Sequence, residues 1–123
     1  MTENEIAEIV FRPGMRIHKT IGPGLLESAY EACLFYELNQ YDLLIERQKS
    51  LPLKYGDVEL ESGYRLDFLI DGKVVIELKA VEQMSSRHTA QVITYLKLTG
   101  CKLGLLINFN TTLFKTGFRR VIN

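Results

Sequence analysis

The residues with most chemistry to offer sit on two short runs separated by a turn. In Tyr64–Ile70, the apolar residues Tyr64, Leu66, Phe68 and Ile70 alternate with Arg65 and Asp67. Successive side chains of a strand point to opposite faces, so Asp67 lies away from the apolar set. In Lys73–Ala80, Val74, Ile76, Leu78 and Ala80 share one face, and Glu77 and Lys79 project from the other. Matching apolar face to apolar face brings Asp67, Glu77 and Lys79 to one side of a hairpin. A hard cation such as Mg²⁺ takes oxygen ligands, typically one or two carboxylates with water and phosphate. A lysine beside it can position or deprotonate a water and offset charge during phosphodiester hydrolysis. Taken alone, Glu-x-Lys reads as an ordinary ion pair on a solvated sheet face; Asp67 on the matching face is what makes it a candidate site.

Hairpin register tests that convergence. Opposed residues of an antiparallel pair share a face, so Asp67 and Glu77 fall together only if partner numbers sum to an even value. A two-residue Asp71-Gly72 turn, the usual one for Asp-Gly, would pair Ile70 with Lys73 and separate the acids. The expectation is an odd loop, of about three residues, with Gly72 in the left-handed position of a bulge. Because the three site residues occupy a polar face, their replacement by alanine is expected to leave folding intact.

The elements around this hairpin are legible in the pattern. Glu3–Thr20 begins with helical spacing at Ile6, Ile9 and Val10, and Pro13-Gly14 then predicts a kinked helix or two short ones, since an internal proline deletes a hydrogen bond. Gly22-Pro23-Gly24 breaks the chain. A second helix over about residues 25–40 is apolar around much of its circumference and is expected to be mostly buried. Leu44–Lys49, Leu51–Tyr55, Val58–Glu61, Tyr64–Ile70 and Val74–Ala80 read as strands, with Gly56-Asp57 and Asp71-Gly72 as turns. Ser85 or Ser86 caps a third helix carrying His88, Gln91, Val92, Tyr95 and Leu96, with Gly100 as its stop. Lys102–Phe109 is apolar enough for a central strand, and Phe114–Ile122 reads as a last edge strand. The whole describes one α/β domain over residues 1–123, a mixed sheet flanked by helices with the third helix as crossover.

Composition narrows the function further. At 123 residues the chain has room for one core. No apolar run approaches the roughly 18 residues that span a bilayer. The start, Met-Thr-Glu-Asn-Glu, is acidic, unlike the basic start of a signal peptide, and predicts a cytoplasmic protein without membrane contact. Cys33 and Cys101 stand alone in apolar stretches and read as buried thiols rather than zinc ligands. Fifteen basic and fifteen acidic residues cancel, so any grip on nucleic acid must be local, weak and salt-sensitive. Lys97, Lys102, Lys115, Arg119 and Arg120 are candidate contributors, without a pattern that shows them to cluster.

Several ordered blocks resemble a known group. Asp67, a hairpin, Glu77-Leu78-Lys79 and then Gln91-Val-Ile-Thr-Tyr95 on a helix resemble the D…ExK…QxxxY signature of RecB-like PD-(D/E)XK nucleases. Upstream, Gly24-Leu-Leu-Glu27-Ser-Ala-Tyr30 is similar to the motif naming the GxxExxY family, a bacterial and archaeal group of that superfamily. His18-Lys-Thr-Ile-Gly-Pro-Gly and Gly104-Leu-Leu-Ile-Asn-Phe109 resemble further blocks of that family, whose first helix runs unbroken where Pro13-Gly14 stands here. The resemblance spans the chain and implies a restriction-endonuclease-like fold and a Mg²⁺-dependent nuclease, with Mn²⁺ as substitute and DNA rather than RNA as substrate. It makes Asp67, Glu77 and the Leu78 backbone carbonyl metal ligands and Lys79 the catalytic lysine. It adds Glu27 as a further acid and turns Gln91 and Tyr95, with His88 on the same helix face, toward the substrate strand. Gln91 and Tyr95 read equally as a surface amide beside a core tyrosine, and His18 as a structural histidine. The alternative function is a catalytically silent module of the same fold that binds nucleic acid or a partner protein, including a second copy of the chain.

Overall fold

The computed structural model describes residues 1–123, leaving out only the side chain of Ser62. Helix α1 spans Glu3–Ile21, opened by a capping box between Thr2 and Glu5. Its buried residues Ile6, Val10, Pro13, Gly14 and Ile17 recur at the spacing of one helical stripe. The helix therefore continues through Pro13 and is not divided into two short ones. An interior proline costs about 3 kcal/mol, but Pro13 and Gly14 lie on the buried stripe, where packing outweighs one lost hydrogen bond. Gly14 is needed there: a Cβ would stand 2.5 Å from the ring of Phe114.

Helix α2 spans Glu27–Leu38 and buries only Tyr30, Leu34 and Leu38, an i, i+4, i+8 stripe. The expectation of a mostly buried helix fails because α2 packs on α1 and the sheet from one side only. Leu25 and Leu26, just before it, and Tyr36 within it are exposed.

Strand β1 covers Ile45–Tyr55, β2 Val58–Ile70 and β3 Val74–Lys79. The four short runs expected between residues 44 and 70 are thus two long strands. Helix α3, Ser86–Thr99, stops at Gly100 in the left-handed conformation, φ 75°. Strand β4 is Leu103–Asn108, every residue of it buried. The last segment divides into a short helix α4, Phe114–Gly117, and the edge strand β5, Phe118–Ile122.

The strands form one mixed sheet in the order β1-β2-β3-β4-β5. Only β3 and β4 pair in parallel, through the α3 crossover. Helices α1, α2 and α4 cover one face around Phe68, Ile76, Leu105 and Phe109. Helix α3 covers the other around Val75, Leu106, Val92 and Leu96. Gly104 lets α3 approach, since a Cβ would lie 2.5 Å from Val92. Both faces are therefore closed over β3, and what remains open is the end of the sheet where β3 finishes.

Candidate functional site

The β2–β3 hairpin has the odd loop that the shared site requires. Ile70 opposes Val74, Leu69 opposes Val75 and Phe68 opposes Ile76. Asp71, Gly72 and Lys73 form the loop, with Gly72 at φ 63° and Asp71 at φ 52°. Lys73 N–H donates to the Ile70 carbonyl at 2.9 Å, and Asp71 Oδ1 accepts from Leu44 N–H at 2.8 Å. Short polar residues such as aspartate tolerate the left-handed region better than most, and here the Asp71 carboxylate is held by the chain just before β1.

Continued, this register places Asp67 opposite Glu77, but the backbone ladder stops at Phe68 and Ile76. Past that point side chains replace it. Asp67 N–H donates to Glu77 Oε1 at 3.0 Å, and Leu78 N–H donates to Asp67 Oδ2 at 2.8 Å. Each carboxylate thus holds the backbone of the other strand. The N–H and C=O of one strand residue point to the same side, so the Leu78 carbonyl faces the same gap.

The neighbouring pair is disturbed at the same level. Between Ile45 and Leu51 the β1–β2 register lacks only the Gln48/Asp67 pair. Gln48 has φ 51°, uncommon for a residue with a long side chain. The alternation of β2 slips here: Leu66 packs with the α3 side, whereas Phe68 and Ile70 pack with α1 and α2. The single apolar face expected for Tyr64, Leu66, Phe68 and Ile70 is therefore split at Asp67. The turned backbone aims the Gln48 amide at the site, where Nε2 donates to Glu31 and to Asp67 Oδ1 at 3.2 Å. Glu31 also pairs with Arg47 at 2.9 Å, and Arg47 lies 4.5 Å over the Phe35 ring.

Burial sets the electrostatics. Glu77 is 4% exposed, and its pKa is pushed up to about 8 by burial first, then by the charges of Asp67 and Glu27. Asp67 is also raised, by burial and by Glu31, against the opposing Leu78 N–H, Gln48 and Lys79. Lys79 favours the charged form of both acids, yet among the described residues it forms no ion pair. Glu27 and Glu31, one turn apart on α2, bring two more carboxylates; Glu27 itself is exposed. The open polar face expected of this hairpin is thus closed, because α3 covers it. Alanine at Asp67 or Glu77 would orphan a backbone N–H at a cost of about 1–3 kcal/mol, so those variants would not leave the fold untouched.

From α3, Tyr95 is buried against Tyr64, with ring centroids 6.0 Å apart. Its hydroxyl is raised to about 12 by burial and by the charges of Glu77 and Asp67, with Gln91 against it. Tyr95 is thus both a core residue and a neighbour of the acids. His88 turns to helix capping, Nδ1 accepting from Ser85 N–H at 3.0 Å. His18 is structural: its Nε2 lies 2.7 Å from the Thr111 carbonyl, which fixes it as the donor. Cys101 is buried as expected, while Cys33 is only half-buried.

Three residues near the site were not evident as such in the sequence. Gln48 carried no signal, since nothing local marks a glutamine for positive φ. Glu31 did: it stands four residues after Glu27, and like charges so placed repel unless something cationic serves both. Asn108, 2% exposed, accepts from Val81 N–H at 3.1 Å and donates to the Val81 carbonyl at 2.9 Å. It clamps the chain just after Lys79.

The donor set suits a hard divalent cation. Two acids share a buried gap with a strand carbonyl, two more carboxylates stand nearby, and one acid is pushed toward neutrality by burial first and then by the charges of Asp67 and Glu27. Among the described residues, no three His, Cys, Asp or Glu side chains are grouped to hold an ion by themselves, so such an ion would be completed by the carbonyl, water and phosphate. Among the described residues, no helix is long and apolar enough to cross a membrane. No curated protein and no solved structure matches the chain. The model of the PD-(D/E)XK nuclease superfamily matches residues 4–121. With nearly its whole length matched and its two acids and lysine gathered where β2 and β3 part, the chain belongs to the PD-(D/E)XK nuclease superfamily.

Proposed function

We propose that this protein is a divalent-metal-dependent nuclease that hydrolyses phosphodiester bonds, with DNA as substrate, of the RecB-like, GxxExxY type. The observation that carries the reading is the reciprocal bonding of Asp67 and Glu77 across the parted strands, with Lys79 beside them. Asp67, Glu77 and the Leu78 carbonyl would hold Mg²⁺, or Mn²⁺ in its place. The ion, when bound, supplies Lewis-acid polarisation of the phosphate and a more acidic water. Lys79 Nζ donates hydrogen bonds to the attacking oxygen and to the phosphate. Glu27, exposed at the start of α2, accepts from a water at the mouth of the site. Tyr95, held neutral by burial and by the acids beside it, and Gln91 act as positioning residues. A second reading, a silent module that binds a partner protein or a second copy, is favoured by the outer β1–β2 arm, where Tyr55, Val58 and Leu60 are exposed.

The test is cleavage of linear and circular DNA with Mg²⁺ or Mn²⁺, alongside calorimetric ion binding. Asp67→Asn and Glu77→Gln keep an oxygen for the backbone N–H groups and should lose ion binding and cleavage together. Lys79→Ala should bind the ion but lose about 10²-fold or more in rate, the scale of a positioned acid–base group. A wild type that binds no divalent ion and cuts neither substrate removes the enzyme and leaves the module. Cleavage unchanged in Asp67→Asn would mean the chemistry lies elsewhere.

A further inference from the structure

The neutral chain is not neutral along its length. Residues 83–123 contain Arg87, Lys97, Lys102, Lys115, Arg119 and Arg120 and no acid at all. Residues 9–26 contain Arg12, Arg16 and Lys19, again with no acid. The acidic residues all fall in the remaining segments. The fold packs the two acid-free segments together: the Phe11 ring of α1 lies tilted against Phe114 and edge-on to Phe118, 5.4 and 5.0 Å away between centroids, and His18 bonds to Thr111.

Between them lies a cleft of about 540 Å³. Lys19 lines it from α1 and Lys115 from α4, and Met15, Pro23 and Leu113 contribute apolar surface. Met15 is 39% exposed and Leu113 65%. Neither lysine forms an ion pair among the described residues, so both charges are available. In the chain, Gly22 and Pro23 precede Glu27 by five and four residues, while Thr112 and Leu113 stand four and five residues after Asn108, which lies opposite Lys79 in the β3–β4 register. Each wall is thus a short stretch of chain away from a residue of the candidate site.

We propose that this cleft takes a single nucleic-acid strand, with Lys19 and Lys115 on its phosphates and the Met15/Pro23/Leu113 surface against unpaired bases. The assignment rests on the nuclease reading for its partner and deepens it by naming the substrate's form. Charge complementarity favours a polyanion. The apolar lining favours a single strand, whose base faces are free to pack on the protein; a duplex hides them in its stack and would meet only the lysines.

The experiment is fluorescence anisotropy with a short labelled single-stranded oligodeoxynucleotide, in chelator so that no cleavage occurs, across a potassium chloride series. Lys19→Ala/Lys115→Ala should weaken binding about tenfold or more and flatten the slope of log K against log[salt] by about 1.4, as two phosphate contacts are lost. Lys54→Ala, on the far β1–β2 arm, should change neither. Binding and slope unaltered in the double variant, an equal loss in Lys54→Ala, tighter binding of the matching duplex, or no binding by wild type each overturns the proposal. Cleavage by the same proteins is scored separately. A wild type that binds through Lys19 and Lys115 but does not cut ends the nuclease reading and leaves the cleft. A double variant that cuts and binds like wild type does the reverse.

Discussion

The two ends of the β2–β3 pair solve the same problem in opposite ways. At the hairpin end, Ile70, Leu69 and Phe68 face Val74, Val75 and Ile76, all buried, in a regular backbone register. Two residues further along, the backbone N–H groups of Asp67 and Leu78 bond to carboxylates instead. Buried backbone groups must find partners in either case. At the hairpin end the partners cost nothing electrostatically, whereas at the site they are acids pushed toward neutrality by burial, with the Asp67 charge adding at Glu77 and the Glu31 charge at Asp67. Stability is concentrated at one end of the pair and chemical potential at the other.

That contrast breaks most visibly at Phe68, the last β2 residue of the ladder and fully buried. Phe68→Ala should cost about 3–5 kcal/mol in urea-induced unfolding. A loss no larger than that from Lys79→Ala would show that the ladder end does not carry the load assigned to it.

Next in size is a pH effect confined to the other end. Folding raises the Glu77 pKa from its ordinary 4.5 to about 8, so the folded chain binds that proton more tightly than the unfolded one. Its contribution is fully present below pH 4.5 and is lost as pH rises through about 8. Asp67, raised in the same sense, adds to the trend. Thermal melts of the metal-free protein should therefore fall across that window, and Glu77→Gln should flatten the profile and melt higher than wild type at its alkaline end. Mn²⁺ should raise the wild-type melting temperature there and leave Glu77→Gln unmoved. A parallel pH profile for the two proteins would remove Glu77 as the source.

Gln48 sharpens the comparison, because there backbone strain and site geometry meet. Gln48→Gly relieves the positive φ and deletes the bonds to Glu31 and Asp67. Stability should change by no more than about 1 kcal/mol, while divalent-ion affinity, read by calorimetry, should fall. Affinity equal to wild type would reduce Gln48 to a bystander. The loop should affect stability alone: Gly72→Ala, at φ 63°, should cost about 1 kcal/mol in the same urea titration, without altering ion affinity. A change in ion affinity would mean that the two ends are not separable.

What could be read from the sequence follows the range of the forces involved. The odd hairpin loop was legible because the two-residue side-chain period leaves a parity condition on Asp67 and Glu77. The α3 cap and its Gly100 stop were legible because capping is local. The α2 pattern misled because an apolar circumference says how much a helix could bury, not how much neighbours offer; Leu26 is 77% exposed. Pro13 left two outcomes open, a kinked helix or two short ones, and the buried stripe of α1 decides for a single helix. The enclosure of Glu77 depends on α3 folding back over β3, and the slip at Asp67 on Gln48 of another strand. Such relations between distant segments leave no periodic trace.

The clamp at Asn108 has a mechanical meaning. On one side of the gap, Glu77 and Lys79 are anchored to β4 by an unbroken register from Val74 to Lys79, by Phe109 N–H on the Lys79 carbonyl at 3.0 Å and by Asn108 on Val81. On the other, Asp67 is tied across the gap through side chains alone, on a strand whose only other neighbour is the outermost one. The jaw bearing Glu77 and Lys79 is fixed and the jaw bearing Asp67 can swing. Amide exchange should accordingly be slower at Val81 than at Asp67, and any change in gap width as an ion or a phosphate arrives falls on β2, with β1 and its long arm moving as the lever.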